Sequence, residues 1–294
     1  MPAVSSVPFP AQASLDHLGA IVGDLSTGAN HWEKLGFTLS PSSRQGGKMP
    51  GRDADGPWAT ANRCAIFKQG YLELIGVVDP SCFNPWTKFI ARFEGLHLLA
   101  LRVAKADAAY ADLATRTDTM NAPVQRARKL DVNGVESTMR FRNIFSRDEA
   151  YPEGRYIVLE HQTPEYLWQP RFQTHPNGAL ALKGALVCAD DVPGQRARLE
   201  TVVGRPPTNG ADGVLRFSPA GGGCIELHGA GSFDARYGWR PRTQPCFAGI
   251  EVRFASRAHA AKLMEDNGIP VERRGGEWFV APENTNGFTL RLSQ

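Results

Sequence analysis

The chain has 294 residues, enough for two ordinary domains or one large one, and its 42% hydrophobic and 21% charged content is that of a globular rather than a disordered protein. The formal charge of +3 is spread along the chain without a basic block, which argues against a nucleic-acid partner. Five cysteines with no Cys-x-x-Cys pair fit a reduced, cytoplasmic chain. Residues 1–12 lack the basic and apolar regions of a secretory leader, and no apolar run approaches the roughly 20 residues that span a membrane.

In chain order, residues 15–22 read as a strand and 29–35 as a helix, introduced by the capping side chains of Asp24, Ser26 and Thr27 and closed by Gly36. Residues 37–39 open a second strand, and 42–57 form a loop rich in Gly, Ser and Arg. Strands follow at 63–67 and 71–77, joined by the tight turn Lys68-Gln69-Gly70. A second pass gives a strand at 97–103, a helix at 106–116, a strand opening at Val124, and strands at 137–145 and 155–161. Arg126, Arg128 and Lys129, the densest basic cluster, read as a solvated loop. A third pass has a strand at 182–188, a helix at 192–203 with Pro193 in its first turn, and strands at 213–217 and 223–228. The fourth has a strand at 248–254, a helix at 257–267 closed by Gly268, and strands at 271–273, 277–280 and 288–292.

Each pass is β-α-β-β-β, so the chain is an internal repeat of one supersecondary unit. A single unit leaves an apolar sheet face uncovered. Two together curl into a concave mixed sheet with helices outside. The expected fold is therefore α+β: four βαβββ modules in two pairs, each pair a cup. The expected division is residues 13–175, carrying the site, and 178–294, a degenerate pair. Closure within a monomer and pairing between the chains of a homodimer both remain open.

The chemistry is expected where the repeat duplicates it. Leu15-Asp16-His17-Leu18 returns as Gly95-Leu96-His97-Leu98, and a later strand of each unit carries a glutamate, Glu73 in the first and Glu160 in the second. Counted from Tyr71 and Tyr156, both glutamates fall at even offsets, so each shares a face with its tyrosine. Two imidazoles and two carboxylates meeting at one point suit a divalent Fe, Mn, Ni, Co or Zn ion. The plain alternative is a half-buried histidine at each strand entry and carboxylates that face solvent or take a structural partner.

The fourfold plan resembles the vicinal oxygen chelate superfamily, which includes glyoxalase I, extradiol dioxygenases, fosfomycin-modifying enzymes and bleomycin-binding proteins. More narrowly it resembles the long glyoxalase-like domain proteins. The carrying strings are Leu15-Asp16-His17-Leu18, Thr60-Ala61-Asn62-Arg63, Gly70-Tyr71-Leu72-Glu73-Leu74, His161-Gln162-Thr163-Pro164-Glu165, Trp168 and His175-Pro176-Asn177-Gly178. The resemblance implies a metal held by His17, Glu73, His97 and Glu160. The adjacent His161, the histidine of the His-x-Thr-Pro-Glu string, competes with Glu160 as fourth ligand if a bulge presents it. It also implies a metal-dependent isomerase, lyase or extradiol-type oxygenase acting on a small oxygen-chelating substrate, with Glu73 or Glu160 as base. The competing reading is a metal-free small-molecule binder of the bleomycin-binding type.

Around this set, Arg63 reads either as a substrate clamp or as an ion-pair partner of Glu73. Asn62 reads as a turn or edge residue with substrate contact as its other role. Arg140 and Arg142 alternate on a solvated face. Residues 163–177, with Tyr166, Trp168, Phe172 and His175, read as packing where the module pairs dock, or as a lid that brings Trp168 onto the substrate. His31 and His259 fall in helices. Glu226 and His228 read as a relic pair in a metal-free half. Gly221-Gly222-Gly223 reads as a turn, since no strand-to-helix context makes it a phosphate loop.

Overall fold

The computed structural model describes residues 13–294 apart from 52, 133 and 211. Residues 1–12, where no leader was expected, lie outside the described residues. The first sheet is built from β1 (Ser14–Val22), β2 (Ser43–Lys48), β3 (Asp55–Ile66), β4 (Tyr71–Val77), β5 (Gly95–Arg102), β6 (Val124–Val132), β7 (Val135–Phe145) and β8 (Arg155–His161). Helices α1 (Leu25–Lys34), α2 (Thr87–Arg92) and α3 (Ala106–Leu113) belong to it, and α4 (Pro164–Leu167) follows. The second sheet comprises β9 (Ala179–Ala189), β10 (Thr208–Asn209), β11 (Leu215–Phe217), β12 (Cys224–Gly229), β13 (Cys246–Phe254), β14 (Glu272–Arg274), β15 (Glu277–Val280) and β16 (Thr289–Ser293). With it come α5 (Val192–Val203), α6 (Ala230–Tyr237) and α7 (Arg257–Asp266).

The two sheets have the same order, β2-β3-β4-β1-β5-β8-β7-β6 and β10-β11-β12-β9-β13-β16-β15-β14. In each, two modules join through a central antiparallel pair, β1 with β5 and β9 with β13. The last strand of every module lies parallel to its first. This is the α+β plan of four βαβββ modules in two curled sheets. Among the described residues, no helix is long and apolar enough to cross a membrane.

Each module folds against its helix in the same way. Asp24 caps α1 by accepting a hydrogen bond from the Thr27 amide at 2.6 Å, and Leu25, Ala29 and Trp32 form the buried face. The sheet meets α1 at Gly76, where an added Cβ would sit 2.5 Å from Leu25 Cα; only glycine lets the helix lie so close. The convex faces of both sheets, with α1, α3, α5 and α7, share one apolar core that includes Leu18, Leu72, Leu99, Val187, Ile250 and Leu290. The concave face of the second sheet is filled. Phe233 and Tyr237 of α6 pack there with Leu186, Cys188 and Phe279. Beside them Arg291 bonds Glu226 at 2.8 Å and also bonds Glu251. The concave face of the first sheet is open.

Three local expectations change. Residues 42–57 are not all loop: β2 runs along β3, held by backbone pairing although Ser-Arg-Gln-Gly-Gly-Lys carries no apolar alternation. Residues 37–39 are not a strand, and Phe37 and Leu39 are buried as core packing. Arg126, Arg128 and Lys129 lie on strand β6, paired along its length with β7, and not in a loop.

One irregularity recurs in every module. Along the central pairs, Asp16, His97, Lys183 and Ala248 have no Cα partner and mark shifts in register. Each is the extra residue of a β-bulge, and each lies eight residues ahead of its module's helix N-cap, Asp24, Lys105, Asp191 or Ser256.

Candidate functional site

The bulge at Asp16 lets two consecutive side chains meet, which a regular strand forbids. The Nδ1 of His17 lies 2.8 Å from Asp16 Oδ2. The His161 Nε2, arriving from the end of β8, lies 3.0 Å from the same oxygen. Burial would raise the Asp16 carboxyl, but the charge and hydrogen bond of His161, and then those of His17, outweigh it and hold the group well below the usual carboxylate range. An ionised Asp16 accepts from Nδ1–H of His17, so neutral His17 carries its lone pair on Nε2. The ring stacks on Tyr71 at 4.3 Å, and Nε2 faces Glu73 Oε2 across 3.8 Å.

Glu73 follows from the register. Tyr71 pairs with His17 across the parallel β1–β4 ladder, and Glu73 lies two residues on, on the same face. Its Oε1 accepts a hydrogen bond from Asn62 Nδ2, and Asn62 Oδ1 accepts one from Arg128 at 2.7 Å. His17, Asn62 and Glu73 line a cavity of about 1590 Å³ in the first cup. The second half of its floor is apolar, with Leu98, Ile157 and Leu159, and its walls carry Trp58, Trp86, Phe141, Phe145, Tyr166 and Phe172. The Cys64 thiol also lines it. Burial first and the Glu73 charge second push that thiol far above its ordinary value, so it is not a thiolate nucleophile.

The four residues expected to surround a metal are not brought together. His97 is a bulge residue turned out of the cup. Its Nε2 lies 2.8 Å from the Phe93 carbonyl, and its ring sits 4.2 Å from Phe93 and 5.2 Å from Phe89. Burial pushes its pKa down to about 4. Glu160 points to the helix side, where it accepts from Lys105 Nζ at 2.9 Å and from the Ala106 amide at 3.0 Å, anchoring the start of α3. Glu160 does share a face with Tyr156, but Tyr156 lies in the core between the sheets whereas Tyr71 faces the cup.

The residues that structurally match His17 and Glu73 are Leu98 and Ile157. Leu98, like His17, stands seven residues ahead of its helix N-cap. It pairs with Arg155, and Ile157 lies two residues on. Among the described residues, no three His, Cys, Asp or Glu side chains are grouped to hold a metal. The donor set does not fit the implied centre, because the second half of the cup offers two hydrocarbon side chains at the ligand positions.

The remaining expectations sort as follows. His161 is on the cup side but beneath Trp168 and Phe141, at 4.9 and 5.3 Å, and reaches Asp16 instead of the cavity. Arg63 is neither clamp nor Glu73 partner. It lies on the other face of β3, 2.9 Å from Glu33, with its Nε donating to the Ser40 carbonyl. Residues 163–177 are mainly a wall of the first cup, where Leu167, Gln169 and Phe172 line the cavity and Trp168 packs on Tyr71 at 6.1 Å; the end of the segment meets the second module pair at the Pro176 carbonyl. His175 ties this wall down through the Thr38 amide and the Ile66 carbonyl, both at 3.0 Å. Arg142 pairs with Asp107 at 2.7 Å and Arg140 is exposed. His31 bonds Asn286, and His259 lies 2.9 Å from the Pro176 carbonyl. Glu226 matches Glu73 in position, yet there Arg291 and His228 partner it, the latter at 3.2 Å. Sequence reasoning missed Asp16 and Arg128 as site residues. Asp16 could have been found by counting back from each helix cap, which aligns it with His97.

Four βαβββ modules in two curled sheets, one of them open around a polar floor, define the vicinal oxygen chelate fold. The chain belongs to the glyoxalase-like domain family, whose model matches residues 15–203. Solved structures share the architecture at low identity. A hypothetical protein from Staphylococcus aureus is 9% identical with a TM-score of 0.66, over 96% of this chain and 99% of that one. A mutant of 4-hydroxymandelate synthase from Streptomyces coelicolor is 11% identical with a TM-score of 0.59, over 96% and 93%. Homoprotocatechuate 2,3-dioxygenase from Arthrobacter globiformis is 17% identical with a TM-score of 0.54, over 98% and 82%. No curated protein matches the chain by sequence.

Proposed function

We propose that the first cup is the active site of an enzyme that moves a proton on a small, oxygen-bearing molecule, with His17 as the base and Glu73 as its partner. The carrying observation is the 2.8 Å contact between His17 Nδ1 and Asp16, which leaves Nε2 as an acceptor on the cavity floor. Asp16 stabilises the imidazolium that forms when Nε2 takes a proton. Nε2 and Glu73 Oε2 are 3.8 Å apart, so a substrate atom seated over the pair, off the line that joins them, is within hydrogen-bond reach of both, and one group removes a proton and the other returns it. Such a pair suits an isomerase or lyase. On this reading the chain divides at residues 13–175 and 178–294, and the chemistry belongs to the first part. The reading needs no divalent metal.

The size of the cavity and its aromatic walls favour one alternative, a protein that holds an apolar molecule without turnover. Proton exchange separates the two. Small hydroxy- and keto-compounds are incubated with the protein in deuterated buffer and their C–H signals followed by NMR. Enzyme-dependent exchange, unchanged after dialysis against EDTA, is expected for at least one compound that binds. Binding without exchange across the panel leaves sequestration as the function. Exchange that EDTA abolishes and one metal restores would return the chemistry to a metal centre.

A further inference from the structure

We propose that the molecule held in the first cup is a carboxylic acid with an apolar body, its carboxylate received by Arg128. This rests on the first cup being the binding site, and it names what that site selects. Of the seven Lys and Arg side chains that line the cavity, three are committed to carboxylates, and Arg126 and Arg171 lie over the rings of Phe145 and Phe172. Arg44 pairs with Asp79 at 3.1 Å, Arg155 with Asp148 at 2.6 Å, and Lys129 with Glu136 at 2.8 Å. Arg128 pairs with no carboxylate among the described residues, and its one side-chain hydrogen bond is the 2.7 Å contact to Asn62 Oδ1. The remaining guanidinium N–H groups are left for a ligand. A planar fork with unused donors is the geometry that receives a carboxylate in two parallel bonds.

The position of Arg128 sets where the anion lies. Through Asn62 it is two side chains from Glu73, so the carboxylate sits at the reacting end of the cup. Beyond that end the floor turns to Leu98, Ile157 and Leu159 with Phe141 and Phe145 beside them, a surface that accepts a hydrocarbon or aryl body, with Arg126 and Arg155 over the far ring. The filled second cup supplies the contrast. At the place matching Ile157 it carries Arg291, and this arginine is consumed by Glu226 and Glu251, leaving nothing for a ligand.

The test uses 2-naphthoate and its isosteric neutral amide, 2-naphthamide, titrated into the full-length protein with ligand fluorescence as readout. The acid is expected to bind at least about tenfold tighter than the amide in wild type. The preference should collapse to near unity in Arg128→Met and survive in part in Arg128→Lys, with circular dichroism showing both variants folded. Equal affinities in wild type, or a preference that Arg128→Met leaves untouched, would overturn the assignment. Proton exchange is followed separately. An acid preference without exchange refutes the enzyme and keeps this inference, whereas exchange on neutral compounds with no acid preference does the reverse.

Discussion

Replacing His17 by alanine is expected to slow exchange on a bound compound by about 10²- to 10⁴-fold, the usual contribution of a positioned general base. Asp16→Asn should fall between that variant and wild type. The asparagine keeps the shape of the side chain but removes the charge that fixes the His17 tautomer and stabilises its imidazolium. Binding of the same compound, measured by calorimetry, should change little in Asp16→Asn, because Asp16 lies behind His17 and does not line the cavity. An exchange rate left unchanged in Asp16→Asn, or a loss confined to affinity, would mean that Asp16 serves packing alone.

Acidification should destabilise the protein through His97. Its folded pKa is pushed down by burial to about 4, whereas an unfolded histidine titrates near 6.5. Between these values the unfolded chain binds a proton that the folded one does not, so stability falls as pH falls through this window. From pH 7 to 4.5 the loss owed to His97 is about 2–3 kcal/mol, at roughly 1.4 kcal/mol per pH unit over most of that window. His175, also pushed down by burial, acts in the same direction. Asp16, held low, keeps its contribution until the pH drops below the unfolded aspartate value near 4, outside this window. Urea melts of wild type and His97→Gln, which retains a donor for the Phe93 carbonyl, should show the variant losing less stability between the two pH values. Parallel profiles would contradict a buried neutral imidazole.

The repeat was legible in the sequence because its signals are local. Apolar runs recur in all four modules, and a capping side chain (Asp24, Asp191, Ser256) with a closing glycine (Gly36, Gly204, Gly268) recurs in three. Strand β8, helix α5 and strand β15 begin and end where those signals place them. Elements without such signals were not legible. Helices α2 and α6 are preceded by Trp86 and Gly229, which make no capping side-chain bond, β2 carries polar residues with no period, and of β6 the opening at Val124 was legible but not its polar remainder.

Half of the site was legible for the same reason. His17, Asn62 and Glu73 stand in one module, where strand parity relates them. His97 failed because a single extra residue reverses parity along β5, so the matching of Leu15-Asp16-His17-Leu18 to Gly95-Leu96-His97-Leu98 is one residue out of structural register; Glu160 failed because Arg155, not Tyr156, holds the register position of Tyr71. Arg128 comes from an edge strand of the other module, and no sequence spacing carries that proximity.

The recurring bulge makes the first cup half furnished: two equivalent sockets face each other, and evolution has equipped one. Installing Leu98→His together with Ile157→Glu would mirror His17 and Glu73 across the pseudo-twofold axis. The double variant should acquire one equivalent of cobalt(II), visible as a d–d absorption band that wild type lacks. A folded variant that stays colourless would show that skeletal symmetry alone does not bring the two sockets within a bond length of a shared ion.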